Sequence, residues 1–207
     1  IDPFNGTVNV LNEYIKNNPN SIHAEELQDI CVHILLKSND YNAALECMEQ
    51  YPDLSPELKK IQSELTYSAG MQQYKEGAYS EALNYFKKSS QVEALFWTAD
   101  TYYLLKDENK ALQNYLQFIK DPKASGSEVY ALAYYNLGYL YLNKGDFKNS
   151  LTKFKEFVIH DKSSDNLRQA DSWMRVGDCH FVQRQYNDAI TSYSNAVKID
   201  DKNADYA

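Results

Sequence analysis

The chain has 207 residues, 43% of them hydrophobic and 24% charged, which supplies a core and excludes general disorder. Its 29 acidic residues against 21 basic ones leave a formal charge of -8. That field repels phosphate backbones and anionic lipid surfaces, and no local run of Lys and Arg overrides it, so nucleic acid is excluded as a partner.

In chain order, the opening Ile-Asp-Pro-Phe (residues 1–4) resembles vector-derived sequence more than a natural start. Leu11, Tyr14 and Pro19 then read as the second half of a helical hairpin, giving a partial repeat over 5–24. A full copy over 25–62 contains Cys31, Leu35, Tyr41, Ala44 and Met48 and closes near Pro56. The next, over 63–91, carries Gly70, Gly77, Tyr79, Ala82 and Phe86. A third, over 92–130, has Ala99 in the glycine slot, with Tyr102, Ala111 and Tyr115 after it. The copies over 131–169 and 170–203 align without a gap: Gly138 matches Gly177, Tyr134 matches Trp173, Phe147 matches Tyr186 and Phe154 matches Tyr193. Ala204, Asp205 and Tyr206 read as the opening of a further first helix at 204–207.

Each slot has a physical reason. Gly or Ala where two helices cross lets their backbones approach. Asn39, Gly77 and Gly145 fall at the bend between helices, where a left-handed conformation costs little. The spacing is uneven: Gly138 and Gly177 lie 39 apart, Gly70 and Ala99 only 29. The long intervals place their extra residues in polar connectors such as 123–127 and 161–166, and the short one trims a second helix around 89–91.

Residues recurring in this order resemble the tetratricopeptide repeat, and the resemblance runs over essentially the whole chain. It implies an all-α fold: a right-handed solenoid of stacked antiparallel helix pairs, in one continuous array over 5–207. It also implies that the first helices line a concave surface. The residues flanking the glycine slot on that side are Tyr67, Met71 and Tyr74; Phe96, Asp100 and Tyr103; Tyr135, Tyr139 and Leu142; and Met174, Asp178 and Phe181. Together they make an aromatic, mildly acidic groove, in which Tyr103, Tyr135, Tyr139 and Phe181 are expected to present their rings to solvent. Members of the family that clamp a C-terminal carboxylate need Lys, Arg and Asn on this face. Here Tyr67, Asp100, Tyr139 and Asp178 stand in those places, and aspartates repel a carboxylate ligand.

Motifs for chemistry are missing. His23, His33, His160 and His180 have no ligand-like spacing, and there is neither a His-Glu-x-x-His nor a paired Cys-x-x-Cys. Asp178, Cys179 and His180 are consecutive, and on a helix consecutive side chains do not face one another. The three cysteines read as small apolar residues, with a Cys31–Cys47 bridge left open. No stretch approaches the ~20 apolar residues of a membrane span. The expectation is therefore a scaffold that is not an enzyme, needs no cofactor or metal, and binds a protein or peptide. A carbohydrate-binding module and a self-assembling homo-oligomer are the rival classes. The likeness to bacterial members of the family implies a bacterial cytoplasm or cell envelope.

Overall fold

Four of the described hairpins turn on the same device. In the computed structural model, which describes residues 5–38, 40–50, 54–163 and 166–204, the first helix of a pair ends on a residue with positive φ. These are Gly77 (79°), Lys106 (65°), Gly145 (72°) and Arg184 (61°). The next amide reaches back to a carbonyl five residues earlier, as Asp107 to Tyr102, Asp146 to Tyr141 and Gln185 to His180. This satisfies carbonyls that the helix leaves open and reverses the chain in the shortest space. Gly77 and Gly145 bear out the expected bends, and Asn39 lies outside the described residues. Asp40, Asp107 and Asp146 then cap the second helix, each accepting from the amide three residues on at 3.1 Å.

The helices are α1 (Asn5–Asn17), α2 (Ala24–Lys37), α3 (Tyr41–Glu49), α4 (Pro56–Lys75), α5 (Tyr79–Lys88), α6 (Glu93–Leu104), α7 (Glu108–Lys120), α8 (Tyr130–Asn143), α9 (Phe147–His160), α10 (Asn166–Val182) and α11 (Tyr186–Ala204). A 3-10 turn over Pro122–Gly126 joins α7 to α8. No strand occurs among the described residues, and the architecture is the all-α set of antiparallel helix pairs expected. The chain divides into two compact units, 1–91 and 92–207, at one of the repeat boundaries read from the sequence.

In the first unit, α1 to α4 close over Val32, Leu35, Ala44, Met48 and Leu58, and α5 packs on α4. The crossing slot of the first full hairpin belongs to Val32, since Asp40 caps α3 eight residues later, as Asp107 and Asp146 do after Ala99 and Gly138. Cys31 packs beside that slot. One detail differs from the sequence reading: the helix α4 starts at Pro56, before the 62/63 boundary, because Ser55 caps it and proline suits its first turn. The α5 helix is short, as expected. Ser89 leaves helical conformation there, and its hydroxyl and the amide of Ser90 bond to buried Ser63 on α4 at 2.9 and 2.7 Å.

In the second unit, α6 to α8 pack around Phe96, Ala99, Tyr115, Phe118, Leu137 and Leu140, and α9, α10 and α11 follow as successive neighbours. The slot geometry repeats at each pair. A Cβ added at Gly138 would meet the Phe154 ring, and one at Gly177 the Tyr193 ring, as one at Gly70 in the first unit would meet Phe86. Ala111, Ser150 and Ala189 hold one repeated place on the second helices and are buried, and the Ser150 hydroxyl donates to the Gly138 carbonyl at 2.9 Å.

Candidate functional site

The first helices of the second unit, α6, α8 and α10, bring most of the expected residues of this unit onto one polar and aromatic surface. Between α6 and α8 lies an open cleft of about 300 Å³ lined by Asp100, Tyr103, Tyr135, Asn136 and Tyr139. The register explains the grouping. Tyr135, Tyr139 and Asp100 flank the crossing slots at Gly138 and Ala99, and Tyr103 stands one turn beyond Asp100.

The tyrosines do not all stand free. Tyr103 is 38% exposed and Phe181 57%, as expected of a ligand-facing ring. Tyr135 and Tyr139 are half-buried instead. Their rings pack edge-on at 5.1 Å, and both lie against Phe154 of α9. Both hydroxyls donate to Asp171 Oδ2 on α10, at 2.9 and 2.5 Å. Burial first pushes both phenols above their ordinary pKa, helped at Tyr135 by the bond with Tyr139 and then that to Asp171, and at Tyr139 by the bond to Asp171. The rings therefore stay neutral and fixed.

Phe96 corrects the sequence reading. It is 1% exposed, with its ring edge-on to Trp97, Tyr115 and Phe118. It holds the position three before the slot, as Tyr135 does. That position lies over the helix crossing, and only a side chain with a hydroxyl gains by reaching out of it. Phe96 is core, not groove.

The two aspartates expected to dot the groove have structural partners. Asp100 Oδ1 accepts from the Tyr115 hydroxyl at 2.7 Å and from Asn136 Nδ2 at 3.4 Å. Asp178 accepts from the Tyr193 hydroxyl at 2.9 Å and from Arg175 Nη1 at 2.6 Å. A tyrosine on the second helix of the pair is thus matched by an aspartate just after the slot. Where the second helix carries Phe154, that place holds Tyr139.

Asp171 escaped the sequence reading. It receives Tyr135 and Tyr139 and also Arg175 Nε at 3.3 Å, which ties α8 to α10. A signal was present: the place six before the slot is acidic in four of the five full hairpins, as Glu26, Glu64, Glu93 and Asp171. Arg175, shared between Asp171 and Asp178, is spent on the fold and forms no carboxylate clamp.

Met174 is exposed on α10. Tyr67, Met71 and Tyr74 lie half-buried on α4 of the first unit, with the Tyr67 ring 6.2 Å from Phe86 and Tyr74 edge-on to Tyr79 at 5.8 Å. The consecutive Asp178, Cys179 and His180 turn to different partners. Cys179 is buried and donates to Ser150 at 3.6 Å, its thiol pushed up by burial, and His180 pairs with Gln185 at 2.6 Å. Cys31 and Cys47 are free, buried thiols with sulfurs 3.6 Å apart. No group of three or more metal-ligating side chains forms among the described residues, and no helix there is long and apolar enough to cross a membrane.

Tetratricopeptide repeat models match residues 93–124 and 135–204. No curated protein matches the chain. Among solved structures it is similar to MamA, at 16% identity and a TM-score of 0.59 over 83% of this chain and 95% of that one. It is also similar to BtubC from P. vanneervenii, at 15% identity and 0.61 over 97% and 89% of the two chains. YrrB, described as a TPR protein with an unusual peptide-binding site, matches at 16% identity and 0.54 over 91% of each chain. These likenesses concern the fold, which agrees with the slots, bends and caps described above. The chain is a tetratricopeptide repeat protein.

Proposed function

We propose that the chain is a non-catalytic scaffold whose first-helix face in the second unit captures a segment of a partner protein. The fold class is one of protein–protein interaction modules, and the observation that carries the reading is the α6–α8 cleft. There an exposed tyrosine, two pinned tyrosines and a carboxylate converge on a space open to solvent. Rings held in place before a ligand arrives lose little entropy on binding, which is why aromatics dominate interaction hot spots. The YrrB fold, with its peptide-binding site, supports the same use of this architecture.

Tyr103 is the residue to test, because its ring is at the surface while Tyr135 and Tyr139 also hold α8 to α10. With the wild-type chain immobilised and a captured partner identified, Tyr103→Ala is expected to weaken binding by about 1–2 kcal/mol. Its melting temperature should stay unchanged. Replacing Tyr135 and Tyr139 with Phe keeps the rings and removes the Asp171 bonds, so it should cost more stability than affinity. Undiminished capture by Tyr103→Ala would place the working surface elsewhere.

A further inference from the structure

Cys31 on α2 and Cys47 on α3, both in the first unit, are 0% and 3% exposed, and the Cys47 thiol donates to the Cys31 sulfur at 3.6 Å. A disulfide bond is about 2.05 Å long, so small side-chain rotations within the hairpin close the gap. Core packing alone does not account for the pair, because both sulfurs also face one polar group. Cys31 donates to Asn12 Oδ1 on α1 at 3.3 Å, and the Cys47 sulfur lies 4.0 Å from the same oxygen. The two thiols thus join three helices, and their protons are part of what holds α1.

The cover that α1 provides is light. Over residues 6–17 only Val8 and Ile15 are buried. A helix held by so few buried side chains opens more readily than the core beneath it, and each opening admits small solutes to the sulfurs. The hydrogen bond from Cys47 favours the Cys31 thiolate and holds the Cys31 pKa below its ordinary value, which makes Cys31 the nucleophile of the pair.

We propose that Cys31 and Cys47 form a redox site whose state controls the docking of α1 on the first unit. The oxidant is a low-molecular-weight disulfide such as glutathione disulfide. The Cys31 thiolate attacks one sulfur of the oxidant, whose S–S bond breaks, and the expelled thiolate takes up the proton that Cys31 released. The Cys47 thiolate then attacks the mixed disulfide at the Cys31 sulfur and expels the second small thiol, which takes up the Cys47 proton. The two cysteines lose two electrons and two protons, and the oxidant leaves as two thiols. The product ties α2 to α3 and has no S–H to offer Asn12. Oxidation therefore weakens the hold on α1, and by reciprocity an undocked α1 favours oxidation. The proposal does not depend on the cleft of the second unit.

The test uses the full chain, first reduced and then equilibrated at neutral pH in mixtures of reduced and oxidised glutathione. Peptide mapping by mass spectrometry should find Cys31 joined to Cys47, with Cys179 outside the bridge. Hydrogen exchange over Asn5–Asn17 should be at least about threefold faster in the oxidised chain, while α2 and α3 exchange more slowly. Reduction should reverse both changes. The Cys31→Ser, Cys47→Ser double variant keeps two donors for Asn12 and cannot be oxidised, so its α1 exchange should not respond to the glutathione ratio. The wild-type comparison decides the matter even if that variant is unstable. A link that is absent, or that forms only in urea, would overturn the proposal. So would a linked chain whose α1 exchanges as in the reduced one, or a double variant that responds as the wild type does.

Discussion

A methyl group placed on Gly138 would lie 2.8 Å from three atoms of the buried Phe154 ring. The ring is enclosed by Tyr135 and Tyr139, so it has nowhere to move. Gly138→Leu is therefore expected to destabilise by roughly 2–4 kcal/mol, read from denaturant midpoints, and a variant melting with the wild type would refute the close crossing. The bends predict changes of the opposite sign. Lys106 and Arg184 hold positive φ in the place where Gly77 and Gly145 stand. Relieving side-chain strain outweighs the added freedom of the unfolded chain, so Lys106→Gly should stabilise by ~0.5–1 kcal/mol. A loss of stability would mean that Lys106 makes contacts worth more than its strain.

At the scale of the helix, the caps set the register of each second helix and carry a pH signature. Asp107 is held below the ordinary carboxylate range by the Lys110 ammonium and then the Lys110 amide. Asp146 is held below it by the Asn149 side-chain amide and then by the Asn149 backbone N–H. A lowered folded-state value means that the unfolded chain takes up the proton first. The contribution is complete above about pH 4 and is lost as pH falls through the folded values. Replacing both aspartates with Asn keeps a capping oxygen and removes the charge. The double variant should melt below wild type at neutral pH, and the two should converge in acid. A constant offset across that range would show that charge plays no part. The caps themselves escaped the sequence reading, which placed the second-helix starts from the bends at Gly77 and Gly145. The start of α4 was misplaced because Ser55 and Pro56 end one repeat and open the next helix at once.

For the whole molecule, the division into units makes stability a sum of hairpins and of the interfaces between neighbouring pairs. Residues 92–207 enclose the core around Phe96, Tyr115 and Phe118 and the whole Asp171 network. Expressed alone, this segment should show a helical circular dichroism spectrum and its own cooperative unfolding transition. A disordered segment would show that its core depends on the first 91 residues.

Local signals were enough to read the repeat, its bends and its crossing slots from the chain alone. A helix end at Gly145 or a small residue at Gly138 answers to constraints within one hairpin, a short stretch of sequence. The three aromatic positions of the cleft were legible for the same reason, since each keeps a constant offset from its slot. Exposure was not. Phe96 and Tyr135 occupy the same place in their hairpins, yet one is sealed and the other reaches Asp171, 36 residues away. Asp100 read as a groove carboxylate, but its oxygen is held by Tyr115 from the second helix and by Asn136 from the next hairpin. Whether a polar group faces a ligand or a neighbour depends on which hairpins stack against it, and only the tertiary structure brings those partners together.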